Sequence, residues 1–122
     1  RFKKPNNGDY LTNSEMHTIE HLFATYARNS EISEAVIYFG PMGCQTGFYL
    51  LVRSKQSPKE VFAMTKEVLQ QIIDHKGEVF GASAIECGHY ANLSLEAARM
   101  EAKLYLEVLE TQTNLEFTYP NA

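Results

Sequence analysis

Apolar residues recur at helical spacing in three stretches, and β-branched and aromatic residues cluster between the first and the second. Met16, Ile19, Phe23, Tyr26 and Ala27 share one helix face, predicting a helix from near Thr12 to Asn29-Ser30. Thr12-Asn13-Ser14-Glu15 opens it as a capping box, in which the hydroxyl accepts a free backbone N–H and Glu15 reaches back. Glu34 to Phe39 is predicted as a strand, Gly40-Pro41-Met42-Gly43-Cys44-Gln45 interrupts it, and Gly47 to Arg53 is predicted as a second. Two consecutive strands around a Gly/Pro loop favour an antiparallel pair.

A second helix is predicted over 58–76. Ser57 caps it, Pro58 takes its first position, Glu60 completes a second capping box and Gly77 follows its end. Val61, Met64, Val68, Leu69 and Ile72 form its buried stripe. Val79-Phe80 and Ala84-Ile85 fit two brief strands. A third helix, capped by Ser94, is predicted from Leu95 to about Leu109, with Leu95, Ala98, Ala102, Tyr105, Leu106 and Leu109 facing inward. Helices mixed with antiparallel strands indicate an α+β fold, with an antiparallel sheet covered by helices on one face.

Composition narrows the partners. The 122 residues form one expected domain, residues 1–122, and a chain of this size buries roughly two-thirds of its unfolded surface. Net charge is −4 and no Lys/Arg cluster stands out, which argues against a nucleic-acid backbone as partner. The apolar runs, such as Phe48 to Val52, are too short to span a membrane. Two cysteines are too few for a disulfide framework; they allow one bridge, Cys44 to Cys87, but two free thiols in a reducing cytoplasm are expected. The chain begins at Arg1, so this compartment follows from cysteine usage rather than from a leader.

The chemistry is concentrated in His17-Thr18-Ile19-Glu20-His21. Four residues make slightly more than one helical turn, so His17 and His21 stack on one face and both reach one ion. Glu20 need not be a ligand and is free to act as a base beside the metal. This is the reversed form of the His-Glu-x-x-His signature. A catalytic metal needs about three protein ligands and an open position. Cys44, His75, Cys87 and His89 remain as candidates for the third, and spacing does not choose between the cysteines. Alone, either cysteine is more commonly a buried inert thiol. His75, near the end of the second helix, suits a structural role beside the helix dipole.

The pattern His17-Thr18-Ile19-Glu20-His21, then Pro41-Met42-Gly43-Cys44-Gln45-Thr46-Gly47, then Glu86-Cys87-Gly88, resembles the S-ribosylhomocysteine lyase (LuxS) family. The resemblance runs from Arg1 into the last helix. It implies that His17, His21 and Cys87 hold one divalent metal, natively Fe(II) and replaceable by zinc or cobalt. It further implies that Glu20 and Cys44 move protons, that Arg1 binds substrate, and that the chain works as a homodimer with interfacial active sites. Family members carry a few dozen residues before the point matching Arg1, so the domain is expected to be N-terminally incomplete. Tyr38-Phe39-Gly40 stands where the family often has an acidic residue, and Leu93 where it usually has a histidine.

Three other readings compete. A reversed-motif metallopeptidase would take a downstream glutamate, Glu96 or Glu101, as third ligand. A structural metal module would close the site with His17, His21, Cys87 and His89. A truncated lyase would fold but turn over poorly.

Overall fold

The computed structural model describes residues 1–112. Helix α1 spans Asn13–Arg28, strands β1 and β2 span Val36–Pro41 and Phe48–Val52, and helices α2 and α3 span Pro58–Asp74 and Leu95–Glu110. Short 3-10 helices at Ser33–Ala35 and Tyr90–Asn92 complete the described elements. The α+β expectation holds. Residues 113–122 of the expected single domain lie outside the described residues.

Both capping boxes form as their sequences dictate. Thr12 accepts from the Glu15 N–H while the Glu15 carboxylate accepts from the Thr12 N–H, and Ser57 and Glu60 repeat the exchange. These caps fix where α1 begins, and therefore which way His17 and His21 point.

The strands pair antiparallel, with Tyr38 opposite Leu51, Phe39 opposite Leu50, Gly40 opposite Tyr49 and Pro41 opposite Phe48. The ladder thus runs through Gly40-Pro41, where the sequence suggested an interruption. Pro41 is tolerated because it occupies the last position of its strand. A register shift between Val36 and Tyr38 bulges the first strand at Ile37.

Alternation then gives the sheet two different faces. Phe39 points inward and stacks between Phe23 of α1 (ring centroids 4.2 Å) and Phe48 of β2 (4.9 Å). Ile19, Leu22, Phe23, Met64, Val68, Leu69, Ile72, Ala98, Ala102 and Leu106 close the core over that face. Truncating a side chain such as Phe23 to Ala in a packed core typically costs ~3–5 kcal/mol. The outward face carries Ile37, Tyr38, Tyr49 and Leu51, all exposed.

Residues 78–89 form turns rather than the two suggested strands. The apolar residues there are used singly. Val79 plugs into the core, whereas Ile85 is 97% exposed, so no alternating face exists to pair. Among the described residues, no helix is long and apolar enough to cross a membrane.

Candidate metal centre

His17 and His21 do stack on one face of α1, their ring centroids 4.7 Å apart. The segment after α2 brings Cys87 to them. Ser14 and Thr18 of α1 staple this segment in place: the Ser14 hydroxyl donates to Asn92 O (2.6 Å), and the Ser94 N–H donates to Thr18 Oγ1 (2.7 Å). Cys87 Sγ then lies 3.3 Å from His17 Nε2. One ligand atom from each of His17, His21 and Cys87 falls within 4.8 Å of the others.

The arrangement fits a metal on two grounds. A tetrahedral ion with ordinary nitrogen and thiolate bond lengths separates those two donors by roughly 3.5 Å. In addition, each imidazole spends its other nitrogen on an oxygen. His21 Nδ1 lies 2.8 Å from Phe80 O, and His17 Nδ1 lies 3.3 Å from Asn92 Oδ1. A carbonyl oxygen only accepts, so Nδ1 of His21 carries the proton and Nε2 keeps its lone pair for a cation. The His89 N–H donates to Cys87 Sγ at 3.4 Å.

The cluster discriminates among the earlier candidates. The ring of His89 stays 6.5 Å from that of His17, centroid to centroid, and His89 is not among the three converging ligands. Glu101 is occupied elsewhere, its carboxylate 2.9 Å from the Lys3 ammonium, and Glu96 is exposed on α3. Cys44 is likewise outside the cluster. His75 caps the end of α2, but its two ring nitrogens lie 2.6 Å from the Tyr26 hydroxyl and 2.8 Å from Glu78 O. It serves the fold through these bonds rather than through the helix dipole alone.

Glu20 borders two clefts that meet at α1. One, of about 380 Å³, is lined by Asn13, Met16, His17, Pro41, Gly43 and Gln45. The other, of about 560 Å³, includes His21, Arg28, Phe80 and Glu86. The Glu20 carboxylate has no hydrogen-bond or ion-pair partner among the described residues.

Cys44 sits on the turn that forms the far wall of the first cleft. Gln45 adopts a left-handed backbone (φ 62°), uncommon for a residue with a side chain, and is held by exchange with Leu11. Leu11 N–H donates to Gln45 O (2.9 Å), and the Gln45 amide donates to Leu11 O (3.0 Å). The exposed Cys44 thiol lies 3.0 Å from Thr46 Oγ1. Hydrogen bonds from the Thr46 hydroxyl and backbone, with the Arg1 guanidinium nearby, hold this thiol below the ordinary thiol range.

Arg1 is placed by the residues after it. Phe2 stacks on Tyr105 (4.2 Å) and meets Phe48 edge-on, and the Phe2 and Lys3 N–H groups both donate to Thr46 O. Arg1 Nη1 thereby donates to Thr46 Oγ1 at 2.6 Å. Gly47 makes the approach possible: a Cβ there would lie 2.7 Å from Arg1 Cα. Sequence reasoning gave no role to Thr46, which it quoted only within a motif, nor to Asn92, Gly81 and the Phe80 carbonyl. Only the glycine offered a signal, since Gly81 has φ 74° and a Cβ there would lie 3.1 Å from His21 Nδ1.

The chain is similar to known proteins over nearly its whole length. The sequence profile described as S-Ribosylhomocysteinase (LuxS) matches residues 1–116. An S-ribosylhomocysteine lyase from Finegoldia magna is 38% identical over 120 residues, spanning 98% of this chain and 76% of that protein. One from Clostridium acetobutylicum is 38% identical over 121 residues, spanning 98% and 77%. One from Desulfotalea psychrophila is 39% identical over 123 residues, spanning 99% and 77%. With a profile match over nearly its whole length and relatives of this identity, the chain belongs to the S-ribosylhomocysteinase (LuxS) family.

Proposed function

We propose that this chain is an S-ribosylhomocysteine lyase, a carbon–sulfur lyase releasing homocysteine and 4,5-dihydroxy-2,3-pentanedione, the precursor of autoinducer-2. The observation that carries this reading is the convergence of His17, His21 and Cys87 in a chain of this family. One thiolate with two imidazoles suits Fe(II), zinc or cobalt better than magnesium or calcium, and Fe(II) is our assignment. A cation held by these three side chains supplies Lewis-acid stabilisation of developing negative charge when bound.

The reaction has no net redox change. A C–S bond breaks readily when the sulfur is β to a carbonyl and the intervening carbon can lose a proton. The ribose carbonyl starts at C1 and the sulfur sits on C5. The carbonyl therefore moves to C2 and then to C3, and elimination across C4–C5 expels the homocysteine thiol. Each move takes a proton from one carbon and returns one to a neighbour, which calls for proton carriers on two sides of the sugar.

Glu20 and Cys44 are assigned these roles. Glu20 is carried on a rigid helix beside His21, and its carboxylate, unpartnered among the described residues, opens onto both clefts. Cys44 comes from the facing turn, and the Thr46 hydrogen bonds with Arg1 favour the thiolate that proton abstraction needs. Arg1, anchored by Phe2 and Thr46, is assigned to substrate binding.

A homodimer completes the proposal. Ile37, Tyr38, Tyr49 and Leu51 form an exposed apolar face on the outer side of the sheet, suited to a second copy of the chain across a two-fold axis. The unpaired thiols of Cys44 and Cys87 suit a reducing cytoplasm, and the products place the enzyme in methyl-cycle detoxification and quorum sensing. Residues 1–122 then act as one metal-dependent lyase domain.

The test is thiol release from S-ribosylhomocysteine by anaerobically prepared protein, before and after chelation and after reloading with Fe(II) or cobalt. Release that is lost on chelation and restored by metal supports the reading. Metal-loaded dimer that releases no homocysteine contradicts it.

A further inference from the structure

Two residues outside the ligand cluster, Tyr26 and His75, connect to it through one backbone carbonyl. His75 Nε2 lies 2.8 Å from Glu78 O, so Nε2 carries the proton. Nδ1, 2.6 Å from the Tyr26 hydroxyl, is then the acceptor. The Phe80 ring closes edge-on against both, 5.1 Å from the Tyr26 ring and 4.9 Å from the His75 ring. Between them Val79 is buried in the core. Residues 78–80 are thus held at three consecutive points: a carbonyl, a side chain in the core and a ring in a cage.

The next group along this braced segment is Phe80 O, the acceptor 2.8 Å from His21 Nδ1. Gly81 follows in the left-handed region and passes so close that a Cβ would lie 3.1 Å from that same nitrogen. Tyr26 is on α1, as is His21, so one rigid helix carries both the ligand and the brace for the carbonyl that orients it. Neither Tyr26 nor His75 lines the two clefts beside Glu20.

We propose that Tyr26 and His75 are positioning residues for the metal centre. They fix the Phe80 carbonyl so that His21 keeps its proton on Nδ1 and presents Nε2 to the cation. The inference rests on the metal reading above. Loss of an outer partner of a ligating histidine typically weakens metal binding by ~10–100-fold. Tyr26 and His75 act one group further out, so the low end, about tenfold, is expected.

The experiment measures the cobalt dissociation constant of the full chain by chelator competition, with the melting temperature of the metal-free protein recorded in parallel. The variants are Tyr26→Phe, which keeps the ring and removes the hydroxyl, His75→Ala, and His75→Gln, whose amide can still donate to Glu78 O and accept from Tyr26. Tyr26→Phe and His75→Ala should weaken cobalt binding about tenfold, with His75→Gln close to wild type. If His75→Ala does not fold, Tyr26→Phe decides. Variants that melt lower yet bind cobalt as wild type does would show a packing role only and overturn the inference alone. Wild-type protein that takes up no cobalt would overturn the metal reading and this inference together.

Discussion

Thr46 places its hydroxyl 3.0 Å from the Cys44 sulfur while receiving a hydrogen bond from Arg1 at 2.6 Å, so one buried side chain joins an assigned proton carrier to an assigned substrate-binding residue. The direction of the Cys44 shift follows from that contact. Hydrogen bonds to the thiolate favour the charged form and move its titration to lower pH. Iodoacetamide labelling of Cys44 should therefore reach half its maximal rate below the ~8.5 of a free thiol. In Thr46→Val the midpoint should move up. Coincident profiles for the two proteins would remove Thr46 from this role.

The two cysteines should separate cleanly by spectroscopy. Only Cys87 lies with the histidines, so cobalt-loaded protein should show a sulfur-to-metal charge-transfer band that disappears in Cys87→Ala and survives in Cys44→Ala. The reverse pattern would mean that the third ligand is misassigned.

Gly47 is a spatial requirement rather than a flexible joint. In Gly47→Ala the new methyl meets the Arg1 backbone at 2.7 Å, and relieving it displaces Arg1 and Phe2. A stability loss of ~1–3 kcal/mol is expected from overpacking. KM for substrate should rise while cobalt affinity is unchanged, because the His17–His21–Cys87 cluster is built on α1 and residues 80–92 and does not involve Gly47. Loss of metal in this variant would contradict that separation.

Glu101 gives a pH signature of folding. Burial, reinforced by the neighbouring Glu15 carboxylate, raises its pKa above the ordinary glutamate value, with Lys3 opposing. The native state therefore holds this proton more tightly than the unfolded state. The contribution of Glu101 is greatest below the unfolded pKa near ~4.3 and declines as pH rises through the higher folded value. Urea titrations across that range should show wild-type stability, relative to Glu101→Gln, falling with pH. A relative stability that climbs with pH would contradict the shift.

What the sequence revealed depended on how local the cause was. The Thr12–Glu15 and Ser57–Glu60 boxes are local exchanges of hydrogen bonds, so the helix starts were legible, and with α1 fixed the stacking of His17 on His21 followed. That Cys87 rather than Cys44 lies beside His17 was legible only through a family resemblance or the fold, because Cys87 reaches His17 through the Ser14 and Thr18 staples some seventy residues away in sequence. The Phe80 carbonyl was invisible, since every residue has one and only the path of the chain aims it. Val79-Phe80 imitated a strand because two adjacent apolar side chains serve two separate purposes, one in the core and one against Tyr26 and His75. The outward sheet face shows a related effect. The Tyr38 ring lies across Gly40 where a side chain would otherwise stand, so that glycine is filled from a neighbouring residue.

Removing either residue assigned to proton transfer should leave the His17–His21–Cys87 cluster intact. Glu20→Gln and Cys44→Ala should each bind cobalt as wild type does and lose turnover by ~10²–10⁴-fold. They need not stall at the same step: a block early in the sequence leaves the aldose, and a later one accumulates a ketose. Full homocysteine release by Cys44→Ala would remove Cys44 from the mechanism.

The most direct measurement of the central claim is a single-turnover reaction of the metal-loaded protein with S-ribosylhomocysteine carrying ¹³C at C2, followed by NMR. Carbonyl migration predicts that the C2 signal leaves the alcohol region, appears as a ketone and returns to the alcohol region as homocysteine is released. Homocysteine release while C2 remains an alcohol throughout, or a metal-loaded dimer that leaves the sugar unchanged, would contradict the account.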